Sequence, residues 1–327
     1  MLRKSVIRLT AIAGLFIATA VQAADVVIYS SNNTASVEAV SEIMKKGLPK
    51  LDVAIVSGKT GGLMKRIEAE KGNALGDIFW SAGFATLGAY RENFASYKSP
   101  SSVGMPASLI GPDNLWVGTN IHPMVLMINE RQLKGLEAPK TWTDIFDPKW
   151  KGKIVMGDPT RSSSTYAQLY GIHKVFGAEG MRKLASNVIN VKSTSQVYKS
   201  VAAGEFAIGI TMEYAAYEYV AGGQKEIKLV YPTEGTFLSP EGAILVKGTK
   251  HEANAKKVMD MLASADLQKA LFLKTFRRPA HPGVDVSALT SLPKMADIKI
   301  IEYDQLQASA DRKDVLKVWI DILKEIR

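Results

Sequence analysis

The chain has 327 residues, 46% of them hydrophobic, enough for about two domains with sizeable cores. Its 41 Lys and Arg against 32 Asp and Glu give a formal net charge of +9, which falls to +6 once Arg3, Lys4 and Arg8 are set aside with an N-terminal leader. That balance suits small anionic ligands, but the charges are dispersed without a basic arm or stripe, which argues against nucleic acid; the absence of cysteine excludes a disulfide scaffold and a lipid-modified cysteine.

Residues 1–23 read as a signal peptide. A charged "MLRKSVIR" precedes an apolar "LTAIAGLFIATA" too short to span a bilayer, and "VQA" supplies small residues for cleavage before Ala24. Export to the periplasm of a Gram-negative cell follows. From Asp25, "DVVIYSSNNTASVEAVSEIMKKG" predicts a strand, a polar turn and a helix with Val37, Val40, Ile43 and Met44 on one face, ended by Gly47 and Pro49. The alternating "LDVAIV" then runs through "SGKTGG", Ser57 to Gly62, into a helix carrying Leu63, Met64 and Ile67. This turn looks like half a nucleotide loop, but the glycine a Walker loop needs five positions before Gly58 is Val53. What remains is a strand-to-helix turn with unpaired amides, either an anion jaw or a plain helix cap. "GDIFWSAGFATLGAY" is a third such unit, ending its strand near Ser81.

Three strand–loop–helix units predict an α/β domain with a mainly parallel sheet, and ligands bind such sheets beyond the carboxyl ends of the strands. The expected rim is Ser30, Ser31, Asn32, Ser57 to Gly61, with Thr60 among them, and Ser81. After "NLWVGTNIHPMVLMIN" a second series begins, with strand-like "KIVM", "FAIGIT" and "IKLVY" and a helix face of Tyr166, Leu169, Tyr170, His173 and Phe176. "TEGTFLSPEGAILVKG" returns to strand, and "DVLKVWIDILKEI" places Val315, Trp319, Ile322 and Ile326 on one stripe. The expected division is lobe 1 at 24–121 plus 233–285 and lobe 2 at 122–232 plus 286–327, hinged rather than tethered. The densest polar cluster is "DPTRSSSTY": Arg161, Ser162, Ser163, Ser164 and Thr165 ahead of an apolar helix exceed what one N-cap requires, and they form a candidate anion site.

"KTWTDIFDPKWKGKIVMGDP", with "SGKTGGLMKRIEAE", "GDIFW" and "SPEGAILVKGTKHEANAKKVMDMLAS", resembles the extracellular solute-binding proteins of ABC importers, in the type II cluster with ferric-ion-binding and organophosphate-binding members. The resemblance spans nearly the whole mature chain in order. It implies two α/β lobes, each a mainly parallel sheet flanked by helices, hinged by two crossing strands. It further implies a monomer that traps a ligand in its cleft and hands it to a membrane permease.

The ferric-binding members resemble this chain in a tyrosine pair after "FAIGIT", an acidic residue after "GDIFW" and a histidine in the first lobe. Those positions fall here on Glu213 and Tyr214, on Ala82 and near Asn33, so the metal cage is mostly lost. His122, His173, His251 and His281 are scattered, and no metal site or cofactor is expected. Tyr217 and Tyr219 read as packing. Glu213 is expected in the cleft, facing hydroxyls or an amine, or else as a solvated helix-start residue. Glu234 on a crossover strand, and Trp80 or Tyr214 as apolar walls, complete the candidates. The expected ligand is a small phosphorylated or phosphonate-bearing organic solute, with ferric iron plus a synergistic anion as the alternative. An exported phosphate-ester hydrolase is the remaining reading, against which stands the lack of a G-x-S-x-G elbow.

Overall fold

The computed structural model describes residues 24–326, so the leader expected at 1–23 lies outside the described residues. β1, Val26–Ser30, is buried at every position and runs parallel between β2, Val53–Ser57, and β3, Ile78–Gly83, with Ile28 beside both Ile55 and Ile78. A strand flanked on both sides and covered on both faces accepts the unbroken apolar run "VVIY". Its crossover helix α1, Thr34–Gly47, buries Ala39, Val40 and Met44 and ends in Lys45 and Lys46, where cations favour the carboxyl end of the dipole. α2, Thr60–Ala69, turns Leu63, Met64 and Ile67 inward after β2, and the short α3, Phe84–Ala89, follows β3. Trp80 is buried in the core with Val26, Val40 and Leu262, so it is not the cleft wall that the sequence predicts.

β5, Trp116–Asn129, is the longest strand and joins two sheets. Its first half pairs antiparallel with β10, Leu238–Val246, which also pairs with β3. Its second half pairs with β8, Ile208–Met212, and β9, Ile227–Val230. Beyond β8 lie β6, Ile154–Gly157, and β7, Val188–Val191, both parallel to their neighbours. The fold is thus mixed α/β, with mainly parallel sheets flanked by helices and antiparallel members where the chain crosses. Beside β5 the return crossing runs through Thr236 and Phe237: Met124 N donates to Phe237 O at 3.0 Å, and the Thr236 hydroxyl bonds the Met124 carbonyl. Trp142 stacks on Phe237 with centroids 5.1 Å apart and shields that seam. Glu234 lies in the turn before it and accepts from Thr143 Oγ1 at 2.6 Å and from the Trp142 amide, which removes it from the crossover strand and from the cleft.

A third crossing follows α7, Glu252–Ala263, and α8, Ala265–Thr275, where β11, Arg278–Pro279, pairs with Asn120 and Ile121 of β5. The chain then reaches α9, Gln305–Ala310, and α10, Arg312–Glu325. Val315, Trp319 and Ile322 join the core of the second sheet, whereas Ile326 lies past the helix end and is exposed. α9 also packs on α3, so closely that a Cβ on Gly88 would stand 2.6 Å from Ser309 Oγ. The C-terminal helices therefore hold both sheets.

Candidate functional site

A cavity of about 560 Å³ opens where the carboxyl ends of both sets of parallel strands face each other. Four helices begin at its wall: α1 after β1, α2 after β2, α4 (Ser163–Asn187) after β6 and α5 (Thr194–Ala202) after β7. Each N-terminus carries roughly half a positive charge and up to four amides without helical partners. Side chains satisfy one amide in three of the four. Asn33 Oδ1 accepts from Ser36 N at 3.0 Å, Ser162 Oγ from Thr165 N at 3.3 Å and Ser193 Oγ from Gln196 N at 3.3 Å. α2 starts at Lys59 with no side-chain cap. Ser162 Oγ also meets Ser164 Oγ at 3.0 Å and Thr194 Oγ1 at 2.9 Å, which ties the starts of α4 and α5 together.

Lys59, Arg161, Lys192 and Lys199 line the same cavity, and none forms an ion pair among the described residues. Partial burial, and then the charge of Arg161, hold the Lys59 ammonium below its ordinary pKa. Two cations that repel each other across a wall of helix N-termini form a site complementary to an anion.

The deep end is built differently. Glu241 of β10 is buried, and its Oε2 accepts from Ser81 Oγ at 2.6 Å, Asn120 Nδ2 at 3.1 Å and Arg277 Nη1 at 3.4 Å, with His122 Nε2 at 3.2 Å. Burial opposes its ionisation, but His122, Arg277 and the Ser81 hydroxyl outweigh burial and lower its carboxyl to about 2. His122 itself is pushed below its ordinary value by burial, against the pull of Glu241. Arg277 brings a permanent positive charge to Glu241, and its Nη2 donates to the Tyr214 hydroxyl at 2.6 Å and its Nε to Ser36 Oγ at 2.9 Å. Ser81 reaches Glu241 from a left-handed conformation, φ 76°, which a serine rarely adopts. All the Glu241 hydrogen bonds fall on Oε2, which leaves Oε1 as the acceptor that the carboxylate presents to the cavity.

Residues 77–309 match the family model of the bacterial extracellular solute-binding proteins. The chain belongs to this family. The major ferric iron-binding protein of Neisseria meningitidis is 22% identical over 300 residues, covering 86% of this chain and 88% of the relative. A putative 2-aminoethylphosphonate-binding periplasmic protein of Salmonella typhimurium is 23% identical over 252 residues, 72% of each chain. Among solved structures, the periplasmic binding protein AfuA of Actinobacillus pleuropneumoniae with exogenous fructose-6-phosphate bound superposes with a TM-score of 0.84 at 24% identity, covering 91% of this chain and 98% of that one. The protein is accordingly a solute-binding protein of the ABC-importer class with the type II fold, and its relatives are binding proteins rather than enzymes.

The structure of this binding protein brings Ser31, Asn32, Ser57, Thr60, Ser81, Arg161, Ser162, Ser163, Ser164 and Tyr214 to the cavity wall. Thr165 lies just beneath it, fully buried, with its amide on Ser162. Gly61 sits where the two jaws touch: a Cβ there would be 3.0 Å from Thr160 O and 3.8 Å from the Arg161 Cα. Glu213 is withdrawn from the cleft and is not solvated either. Arg278 grips it through Nε at 2.6 Å and Nη2 at 2.9 Å, and the Tyr231 hydroxyl donates to it at 2.6 Å. A bidentate guanidinium contact at 1% exposure leaves the carboxylate nothing to offer a ligand. Tyr219 lines the cavity as wall, and Tyr217 turns away to Ser291.

Sequence reasoning passed over Glu241, Arg277, His122, Lys192 and Tyr198. Two signals were available. "KSTS" at 192–195 repeats the cation-and-hydroxyl pattern of "RSSS", and a glutamate inside the apolar strand "SPEGAILV" calls for a buried partner.

Proposed function

We propose that this protein captures a small organic solute bearing a phosphoryl or phosphonate group at one end and hydroxyl or amino donors at the other. The lobes 24–121 plus 233–285 and 122–232 plus 286–327 close on it, and the closed form delivers it to an inner-membrane ABC permease. The chain acts in the periplasm as a monomer, after removal of residues 1–23. The observation that carries the reading is the pairing, within one cavity, of four helix N-termini and unpaired Lys59, Arg161 and Lys192 with the buried, ionised carboxylate of Glu241, the other lining carboxylate, Glu218, being exposed. An anion without a donor would meet only repulsion from Glu241, whereas a hydroxyl or ammonium donates to it. A relative named as a putative 2-aminoethylphosphonate-binding protein and a solved structure with fructose-6-phosphate bound support a ligand of this shape.

Ferric iron is disfavoured because Glu213 is committed to Arg278, Ala82 has no donor, and no group of three or more His, Cys, Asp or Glu able to hold a metal occurs among the described residues. Catalysis is not part of this reading. The test is native mass spectrometry of protein purified from its own periplasm, followed by thermal unfolding with the compound recovered. A retained phosphorus-containing organic mass is expected, with stabilisation of about 2.7 kcal/mol at a hundredfold excess over the dissociation constant. Recovery of iron with a simple anion would refute it.

A further inference from the structure

Three groups that would suit a hard or borderline metal ion meet at the deep end: the Tyr214 phenol and the Glu241 carboxylate on the cavity wall, and the His122 imidazole buried behind them. They come from three distant segments, yet they converge on one atom cluster, the Arg277 guanidinium. Nη2 donates to the Tyr214 oxygen at 2.6 Å, Nη1 lies 3.1 Å from His122 Nε2 and 3.4 Å from Glu241 Oε2, and the guanidinium carbon stands 4.0 Å from the Tyr214 ring centroid. His122 and Tyr214 pack ring to ring at 4.8 Å. The guanidinium is 3% exposed, is fixed from behind by Ser36 Oγ at 2.9 Å, and lines the same cavity as Tyr214 and Glu241.

We propose that Arg277 is a specificity-determining residue: a built-in cation that occupies a latent Tyr214–Glu241–His122 metal site and thereby restricts the cavity to organic anions. The inference rests on the reading of the cavity as an organic-anion site. A metal entering here would have to take the lone pairs that Arg277 now engages on the phenol oxygen and on Glu241 Oε2. It would also face a fixed unit charge a few ångströms away. Glu241 is neutralised by an internal partner, so the site has no net negative charge left to draw a metal from water. The carboxylate keeps its free oxygen for a neutral or ammonium donor on the ligand.

The test titrates ferric citrate into the parent, Arg277→Lys, Arg277→Gln and the Arg277→Gln/Tyr214→Phe pair, reading visible phenolate absorption and iron affinity. The parent and Arg277→Lys, which both keep the charge, are expected to give no phenolate band. Arg277→Gln is expected to gain the band and to bind iron on the order of a hundredfold more tightly, as removal of a unit charge at this range implies, and Tyr214→Phe in that background should abolish it. A folded Arg277→Gln protein that takes up no iron would overturn the proposal, as would a phenolate band in the parent. If the glutamine variant does not fold, gallium(III) titrated into the parent decides: the Tyr214 ring resonances should not move, and a shift would overturn the proposal. A parallel titration of the parent with a sugar phosphate and an aminophosphonate separates the two claims. Failure to bind either sinks the ligand reading, while the iron result still judges Arg277.

Discussion

The two ends of the cavity are made by opposite means. At the anion end, backbone does the work: four strands stop, four helices start, and serines, threonines and lysines in short consecutive runs complete a surface that local sequence dictates. At the deep end, single side chains from positions 81, 120, 122, 214, 241 and 277 meet in a buried network that no short segment contains. The first region holds uncompensated charge waiting for a ligand. The second is internally satisfied except for one carboxylate oxygen. Perturbing the deep end should therefore damage the fold first, while perturbing the anion end should damage binding first and stability by little.

The largest expected effect falls on the deep end. Glu241→Ala leaves Arg277 buried without its partner and should cost about 3–5 kcal/mol of stability, measured by urea unfolding. The same carboxylate gives an acid signature. Its folded pKa of about 2 is depressed from 4.5, so its contribution is fully present above pH 4.5 and is lost as pH falls through about 2. Glu241→Gln should flatten the stability-versus-pH slope in that window, and an unchanged slope would show that the charge is not ionised as argued.

At the anion end, Arg161→Ala should weaken the anionic ligand by about 1.5–3 kcal/mol, the range for a hydrogen bond to a charged group, with unfolding unchanged because the residue is exposed. Calorimetry with full affinity retained would remove Arg161 from the site. Gly61→Val tests the jaws rather than the ligand contact. Its added carbon meets Thr160 O at 3.0 Å, so overpacking of about 1–3 kcal/mol should oppose closure and reduce ligand-induced compaction in small-angle scattering. The smallest effect expected is that of Ser162→Ala, about 1 kcal/mol for loss of the α4 cap. A deep-end variant that kept full stability, or an anion-end variant that unfolded the protein, would break the contrast.

The same contrast explains what was legible in the sequence. Strand-to-helix turns announce themselves within ten residues, and "SNN" at 31–33, "SGKT" and "RSSS" line the cavity, while Ser30 is buried behind it. Element type was equally readable, since "VVIY" and the "IVM" of "KIVM" form buried strands. Side-chain partners distant in sequence were not. Glu213 and Glu241 look alike on paper, each at a strand end or within a strand beside apolar residues. Arg278 and Arg277 arrive from 65 and 36 positions away and assign one to an ion pair and the other to the cavity. Trp80 illustrates the same gap: position 80 alternates to the core face of β3, while Ser81 takes the cleft through a left-handed turn that no residue type signals.

Calorimetric titration of inorganic phosphate, a sugar phosphate, an aminophosphonate and ferric citrate into the mature protein decides which ligand the cavity is built for. An organic phosphoryl or phosphonate compound is expected to bind more tightly than inorganic phosphate, and ferric citrate to give no phenolate complex. Inorganic phosphate binding as tightly as every organic compound, or iron binding more tightly than all of them, would contradict that expectation.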